Sequence, residues 1–196
     1  KEWEISPFEG GVDAEFYGHS EVFTASVSDI LKNLRKISLF EGRWGMRGEQ
    51  DAAERELEKM LADIEGKIKA KYIYGFYPVV IKHNELWVRL HAGAEPVYFA
   101  SFPMGKRGEC FTDLYAASGL SILPLQVVTL GSDVSEYISA FFSDDKYSRY
   151  YQYHGLLAEL TEALAGHAHT EAISKLIFAD SHEKIARTLR YSFGYP

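Results

Sequence analysis

The longest helical pattern in the chain, from about Lys146 to Leu176, most limits what the sequence can fold into. When its residues are placed at 100° intervals, one side is apolar and carries Leu156, Leu157, Leu160, Leu164 and Ala168. We call this side the leucine face. It predicts a helix that packs along a hydrophobic core.

A second stripe of the same helix, here called the glycine stripe, contains Gly155, Glu159, Glu162, Gly166 and His169. A glycine inside a helix costs about 1 kcal/mol relative to alanine, so two of them beside carboxylates indicate close packing. A neighbouring strand or loop that crosses the small residues is the more ordinary explanation. The alternative is a ligand that rests on the stripe, with Glu162 accepting hydrogen bonds from ammonium or ribose hydroxyl groups.

The rest of the chain mixes helical and strand-like periods. Tyr72–Ile81 and Leu86–Leu90 alternate like the strands of a hairpin that turns at His83 and Asn84. The other predicted elements are helices at 26–37, 50–71, 132–142 and from Asp180 into the Arg190 segment, and strands at 97–102 and 123–130. Strict βαβ alternation is missing, which favours an α+β fold: a single domain with a mostly antiparallel mixed sheet packed with long helices. Residues 1–25 are expected to be irregular, and residues 26–196 to form the domain.

Composition excludes several classes of protein. The formal net charge of −7 argues against a nucleic-acid binder, which needs a basic surface. No apolar run approaches the roughly 20 residues of a membrane helix, so no membrane contact is expected. The only cysteine, Cys110, excludes an internal disulfide and fits a reducing compartment. We therefore expect a cytoplasmic protein.

Familiar catalytic and metal motifs are missing from the sequence. His154, His167 and His169 lack the H-E-x-x-H spacing of metal hydrolases, and there is no Walker loop or dinucleotide fingerprint. One cysteine cannot supply a zinc thiolate site. We predict no metal site and no catalytic residue, and a stand-alone hydrolase is the weakest hypothesis.

The last seven residues, 190–196, combine groups that could hold a small carboxylate-bearing ligand. Arg190 offers a planar donor fork for a carboxylate, and Gly194 allows close approach of the backbone. Tyr195 supplies both a flat face and a hydroxyl, and Pro196 stiffens the turn.

The order of several short motifs resembles that of one family over about Asp29 to Pro196. The segments are LFEGRWG at 39–45, IYGFYP at 73–78, CFTDL at 110–114, QVVTLG at 126–131, HGL at 154–156, LTEALA at 160–165 and R-x-x-x-G-Y-P at 190–196. Each is weak alone, but their common order is similar to that of the activation domain of cobalamin-dependent methionine synthase, which binds S-adenosylmethionine.

This resemblance implies roles for the terminal segment. Arg190 would hold the methionine carboxylate of S-adenosylmethionine, and Ser192 would contribute backbone hydrogen bonds. Gly194 would give clearance, and Tyr195 would approach the sulfonium and methyl end of the ligand.

The resemblance also implies ligand contacts elsewhere in the chain. Glu162 would be the helix carboxylate of the binding site. Ser38 lies nearest to the family's aspartate that meets the amino group of the ligand, and Glu41 is a substitute candidate.

The function that the resemblance implies is reactivation of a cobalamin methyltransferase. Such a module docks on a cobalamin-binding domain or subunit of methionine synthase and supports reductive methylation of oxidised cobalamin, with an electron from a flavodoxin-like donor. This chain would not complete methionine synthesis alone, because the cobalamin is carried by the partner. The alternative is a domain of the same fold that docks a corrinoid protein and no longer binds S-adenosylmethionine.

Overall fold

The computed structural model describes residues 12–91, 93–105, 108, 110–113, 122–143 and 146–178. The strands are β1 Val12–Ala14, β2 Gly18–His19, β3 Phe23–Thr24, β4 Lys71–Lys82, β5 Glu85–Val88, β6 Val97–Ser101, β7 Ile122–Thr129 and β8 Leu176–Phe178. The helices are α1 Val27–Leu31, a π-helix Ser38–Arg43, α2 Gln50–Ile64 with a 3₁₀ turn at Glu65–Lys67, α3 Ser132–Ser143 and α4 Tyr147–Ser174.

The strands form one larger and one smaller sheet. The larger has the order β2-β4-β5-β6, with β3 and β7 also paired to β4, and the smaller pairs β1 with β8. Antiparallel registers join β4 to β2, β3 and β5, and β5 to β6. The hairpin turn between β4 and β5 places His83 in the left-handed region, at φ 54°. The predicted α+β class with a mostly antiparallel sheet and long helices is confirmed.

Contacts group the chain into two compact units. One unit takes the described residues of 1–20, 74–125 and 169–196. Its core is a cluster of buried Leu86, Val88 and Leu123, against which partly buried rings and aliphatic side chains pack.

The other unit takes residues 21–73 and 126–168. The leucine face of α4 is buried here, as the helical period predicts. Other fully buried side chains of this unit come from α1, the π-helix, α2 and α3: Ile30, Leu39, Met60, Ile64 and Val134.

The structure differs from the predicted elements in three places, and in each the cause is a contact with residues far along the chain. The segment 1–25, expected to be irregular, contains β1, β2 and β3 within its described part; two or three residues are too few for strand alternation to show. The helix predicted to reach residue 71 ends at Ile64, because the Lys69 N–H donates to the Leu130 carbonyl at 2.8 Å. The strand β8 was missed, and it forms only through its register with β1.

The first predicted helix, 26–37, is also too long. Ser26 caps α1 by accepting a hydrogen bond from the Asp29 N–H at 3.1 Å, but α1 ends at Leu31. After a turn, the chain forms the π-helix, which apolar spacing alone cannot distinguish from an α-helix. The helix predicted from Asp180 lies outside the described residues. Across the part of the chain that is described, no helix is long and apolar enough to cross a membrane.

Candidate functional site

Two of the six predicted site residues lie in the described structure. Glu162 is half-buried on α4, and Ser38 is half-buried at the first position of the π-helix. Arg190, Ser192, Gly194 and Tyr195 lie outside the described residues. The pairing of the terminal segment with Glu162 therefore stays a prediction.

The π-helix is held by bonds at its C-terminal end. The Trp44 N–H donates to the Leu39 carbonyl at 2.9 Å, and the Met46 N–H donates to the Phe40 carbonyl at 2.8 Å. Gly45 between these donors has φ 71°, a conformation that glycine adopts without strain. Because π-helices are rare and frequent at functional sites, this segment is the first candidate for a built site.

A buried carboxylate on the glycine stripe receives two side chains of the π-helix. Glu159 is 4% exposed. Its Oε1 accepts a hydrogen bond from Arg43 Nε at 2.9 Å and another from Ser38 Oγ at 3.1 Å. A buried carboxylate is tolerated only when it is paired and hydrogen-bonded, so Arg43 compensates the charge of Glu159. We call these three residues the Glu159 junction.

The first glycine of the stripe is explained by this junction. A Cβ on Gly155 would lie 3.0 Å from Arg43 Cβ and 3.7 Å from Trp44 Nε1. The same indole nitrogen donates to the Gln152 carbonyl at 3.0 Å. A neighbouring segment of the chain therefore packs on Gly155, which is the more ordinary of the two explanations.

The second glycine has more room. A Cβ on Gly166 would lie 3.7 Å from the nearest atom, Asn33 Cβ, which is an ordinary van der Waals distance. Among the described residues there is no steric reason for a glycine at this position, and the prediction that a ligand rests on this part of the stripe stays open.

Glu162 follows Glu159 by three residues, about one helical turn. The two carboxylates differ in burial, since Glu159 is buried whereas Glu162 is half-buried. With Arg43 compensating Glu159, the like-charge repulsion between neighbouring carboxylates is reduced. Chemically, Glu162 offers acceptor oxygens suited to ammonium or hydroxyl groups.

Glu41, the substitute for the family's aspartate, is exposed. Its Oε2 accepts from Arg47 Nε at 3.3 Å, and the Arg47 side chain is itself largely exposed. Of the two candidates for this position, only Ser38 belongs to the Glu159 junction.

Sequence reasoning missed Arg43 and did not assign a partner to Glu159. The two residues are 116 positions apart, and no local motif signals their pairing. The only available signal was the position of Glu159 on the glycine stripe, which marked it as a carboxylate that something must approach.

A second polar contact lies on the leucine face, at its N-terminal end. Tyr153 is fully buried, and its hydroxyl donates to Asp63 Oδ2 at 2.6 Å. Burial, and then the hydrogen bond to Asp63, raise the pKa of Tyr153 well above its ordinary value of 10. This contact fixes α4 to α2, and like the Glu159 junction it includes a carboxylate paired with an arginine, since Arg149 Nη2 lies 3.2 Å from Asp63 Oδ2.

The histidines and the cysteine have structural surroundings. The His167 ring packs edge-on against Tyr72 at 5.4 Å, and Cys110 is buried. Among the described residues, no group of histidine, cysteine and acidic side chains could hold a metal ion.

Exposed aromatic rings cluster where α3 ends and α4 begins. The Phe142 ring lies 6.1 Å from Tyr147 and 5.4 Å from Tyr150, and Phe142, Tyr147 and Tyr151 are exposed. Large exposed rings that group in this way are typical of surfaces that meet a partner. We call these four residues the aromatic cluster.

Comparison with known proteins places this geometry in a family context. No protein-family model matches the chain. It is 28% identical to methionine synthase of Mycobacterium leprae (strain TN) and 27% identical to that of Mycobacterium tuberculosis (strain ATCC 25618 / H37Rv), in each case over 92% of this chain. The chain spans about a fifth of the length of these relatives, 18% in both.

One solved structure with a similar fold is the MetH reactivation domain bound to AdoHcy. It matches with a TM-score of 0.62 and 16% identity, and covers 81% of this chain and 56% of that one. The sequence relatives and the fold thus agree with each other, and they confirm that this chain is similar to the activation domain of methionine synthase.

Proposed function

We propose that this chain is an S-adenosylmethionine-binding reactivation module. It docks on a cobalamin-carrying methyltransferase, methionine synthase, and supports the reductive methylation of inactive cob(II)alamin. The observation that carries the proposal is the fold shared with a reactivation domain that was solved bound to AdoHcy. Methionine biosynthesis in the cytoplasm is the corresponding setting.

The described residues fit such a ligand at its positively charged end. Glu162 offers carboxylate oxygens about one helical turn from the Glu159 junction, on the same stripe of α4. A carboxylate attracts the ammonium and sulfonium groups of S-adenosylmethionine, and it would repel the ligand carboxylate. The latter group is assigned to Arg190, with Ser192, Gly194 and Tyr195 as its neighbours in the proposed site.

The role of this chain is to position rather than to transfer protons. When bound, S-adenosylmethionine would supply an activated methyl group to the reduced cobalt of the partner. Side chains that hold both charged ends of the ligand would fix its orientation, which is a large contribution to a group transfer. A flavodoxin-like protein is proposed as the electron donor.

The aromatic cluster supports docking to a cobalamin-carrying partner. Exposed Phe142, Tyr147 and Tyr151 offer flat apolar area, as rings at protein interfaces do. They would favour docking whether or not the chain binds a nucleoside.

The second candidate is a docking domain without S-adenosylmethionine binding. One observation favours it: Ser38, which lies nearest to the family's aspartate, is a neutral side chain whose hydroxyl is already bonded to Glu159. The two candidates share the partner and differ only in the ligand.

Calorimetric titration of the chain with S-adenosylmethionine and with AdoHcy separates them. We expect binding by the wild type, weakened roughly tenfold or more by Arg190→Ala and by Glu162→Gln, because a hydrogen bond to a charged group is worth about 1.5–3 kcal/mol. Arg47→Ala and Glu171→Gln remove exposed groups of the same kinds and serve as matched controls. If the wild type gives no binding while it still docks to cobalamin-loaded methionine synthase, the second candidate is correct.

A further inference from the structure

Two side chains of the π-helix reach the same carboxylate oxygen from positions five residues apart. Ser38 Oγ donates to Glu159 Oε1 at 3.1 Å, and Arg43 Nε donates to it at 2.9 Å. In an α-helix, residues five apart point about 140° away from each other, because each residue turns the helix by about 100°. In a π-helix the backbone hydrogen bond itself joins residues five apart, so they lie one above the other. The Glu159 junction therefore requires the π form of 38–43.

The C-terminal end of the π-helix lies over the glycine stripe. A Cβ on Gly155 would be 3.0 Å from Arg43 Cβ, and Trp44 Nε1 donates to the Gln152 carbonyl at 3.0 Å. The Trp44 backbone N–H donates to the Leu39 carbonyl, five residues back, at 2.9 Å. If this N–H bonded the carbonyl four residues back, the chain after it would turn by about 100°. Arg43 and Trp44 would then leave α4, so the π form and these contacts form or break together.

The π form needs a contact outside the helix to hold it. Such helices are rare, and Gly42 weakens this one further, since glycine in a helix costs about 1 kcal/mol relative to alanine. Gly42 is exposed, and a Cβ on it would meet no atom of the described residues within 4 Å. The holding contact is Glu159, which is 4% exposed and whose buried charge is compensated by Arg43.

We infer that Glu159 is a latch that holds 38–43 in the π form, and that this segment is a strap over the N-terminal half of the glycine stripe. With the latch closed, Arg43 and Trp44 cover Gly155. With the latch open, the segment takes the α form and uncovers this half of the stripe. The inference goes beyond the proposed function, because it concerns two forms of the chain itself and needs no ligand.

The Trp44 indole N–H reports which form is present. In the ¹⁵N-labelled full chain its NMR signal is identified by its loss in Trp44→Phe, and its hydrogen exchange is then measured. Glu159→Leu fills the buried position without an acceptor. It should shift the Trp44 signal and speed its exchange about fivefold or more, because the indole loses its hydrogen bond to α4. The Trp87 indole, which donates to Glu85 Oε2 at 2.9 Å, should stay unchanged and is the reference in the same sample.

Deletion of Gly42 separates the helical form from the packing. The shortened chain brings Ser38 and Arg43 to four residues apart, a spacing at which an α-helix places side chains on one face. The strap then lies on α4 without needing the latch. Glu159→Leu in the Gly42 deletion should therefore keep the slow Trp44 exchange of the deletion alone. Gly42→Ala keeps the number of residues, and as the matched control it should not rescue Glu159→Leu.

Every result decides the inference. An unchanged Trp44 signal in Glu159→Leu overturns it, and so does a changed signal that the Gly42 deletion does not restore, because Glu159 would then act through packing. Rescue by the deletion but not by Gly42→Ala supports it. If Glu159→Leu does not fold, as loss of the Trp87 reference would show, Glu159→Gln replaces it in each background with the exchange rate as the readout. The proposed function is tested separately, by its own titration.

Discussion

The leucine face and the glycine stripe lie on the same helix and are built in different ways. Leucines at helical spacing are buried whatever apolar neighbour they meet, so the face depends on the period of α4 alone. The stripe depends on one particular partner, Arg43. Without Arg43 the buried charge of Glu159 would destabilise the fold, and Gly155 leaves room for the Arg43 stem. One face is determined by local pattern and the other by a specific long-range contact.

The largest expected effect comes from breaking the ion pair, and it should be asymmetric. Arg43→Met keeps an aliphatic stem but leaves the 4% exposed carboxylate of Glu159 without its counter-charge, which should lower the free energy of unfolding by about 3 kcal/mol. Glu159→Gln leaves Arg43, whose side chain is 39% exposed and can be hydrated, and should cost about 1 kcal/mol. Urea unfolding of both variants measures the difference.

Arg43→Lys is the matched control, because it keeps the positive charge. It should lose less stability than Arg43→Met, although a lysine cannot reproduce the geometry of the guanidinium nitrogen. Equal losses in Arg43→Met and Glu159→Gln would mean that the stripe behaves like an ordinary surface ion pair and that the comparison with the leucine face is wrong.

The same contrast explains how much of the fold the sequence could predict. The hairpin of β4 and β5, the strand β7 and the helices α3 and α4 follow from alternation and helical spacing, because the information lies in neighbouring residues. The end of α2 and the strand β8 depend on partners far along the chain, such as Leu130 for Lys69 and β1 for β8. The π-helix depends both on neighbouring residues and on distant partners. The apolar spacing in 38–43 could therefore not specify it.

For the site, the sequence predicted close packing on the glycine stripe, but it did not predict that Arg43 is the residue that packs there. Two glycines beside carboxylates indicated close packing, and Gly155 confirms this through its contact with Arg43. No residue near Glu159 in sequence points to Arg43, since a buried pair is a property of the folded chain. The remaining predicted ligand contacts belong to the terminal segment, whose roles stay predictions.

Smaller changes in stability, of opposite sign, are expected when each of the two glycines of the stripe is replaced by alanine. Alanine at 155 would press its Cβ to 3.0 Å from Arg43 Cβ, an atom close to the backbone that cannot swing away, so stability should fall by about 1 kcal/mol despite the better helix propensity. Within the part of the chain that is described, alanine at 166 would come nearest to Asn33 Cβ, at an ordinary contact distance of 3.7 Å, and should raise stability by up to about 1 kcal/mol. Thermal unfolding of both variants gives the signs.

Gly166→Ala also sharpens the question of the ligand. A variant that is more stable but binds AdoHcy several-fold more weakly would indicate that the ligand rests on this end of the stripe. Unchanged binding would place the ligand elsewhere, and a loss of stability would contradict the steric argument.

The smallest effect concerns the polar contact at the leucine face, and it depends on pH. Tyr153→Phe removes the hydrogen bond to Asp63 and should cost about 0.5 kcal/mol at neutral pH, since Asp63 keeps Arg149 Nη2 at 3.2 Å.

Burial and the Asp63 hydrogen bond raise the folded-state pKa of Tyr153, so the stability that its neutral hydroxyl contributes is fully present below about pH 10. It is lost as the pH rises toward the raised value, because only the unfolded chain then releases the phenolic proton. The unfolding free energies of wild type and Tyr153→Phe should therefore converge above pH 10, with Tyr151→Phe, an exposed ring on the same helix, as the control. A difference that stays constant to high pH would contradict the raised pKa of Tyr153, and no difference at any pH would show that Tyr153 stabilises α4 by the packing of its ring alone, as the leucines beside it do.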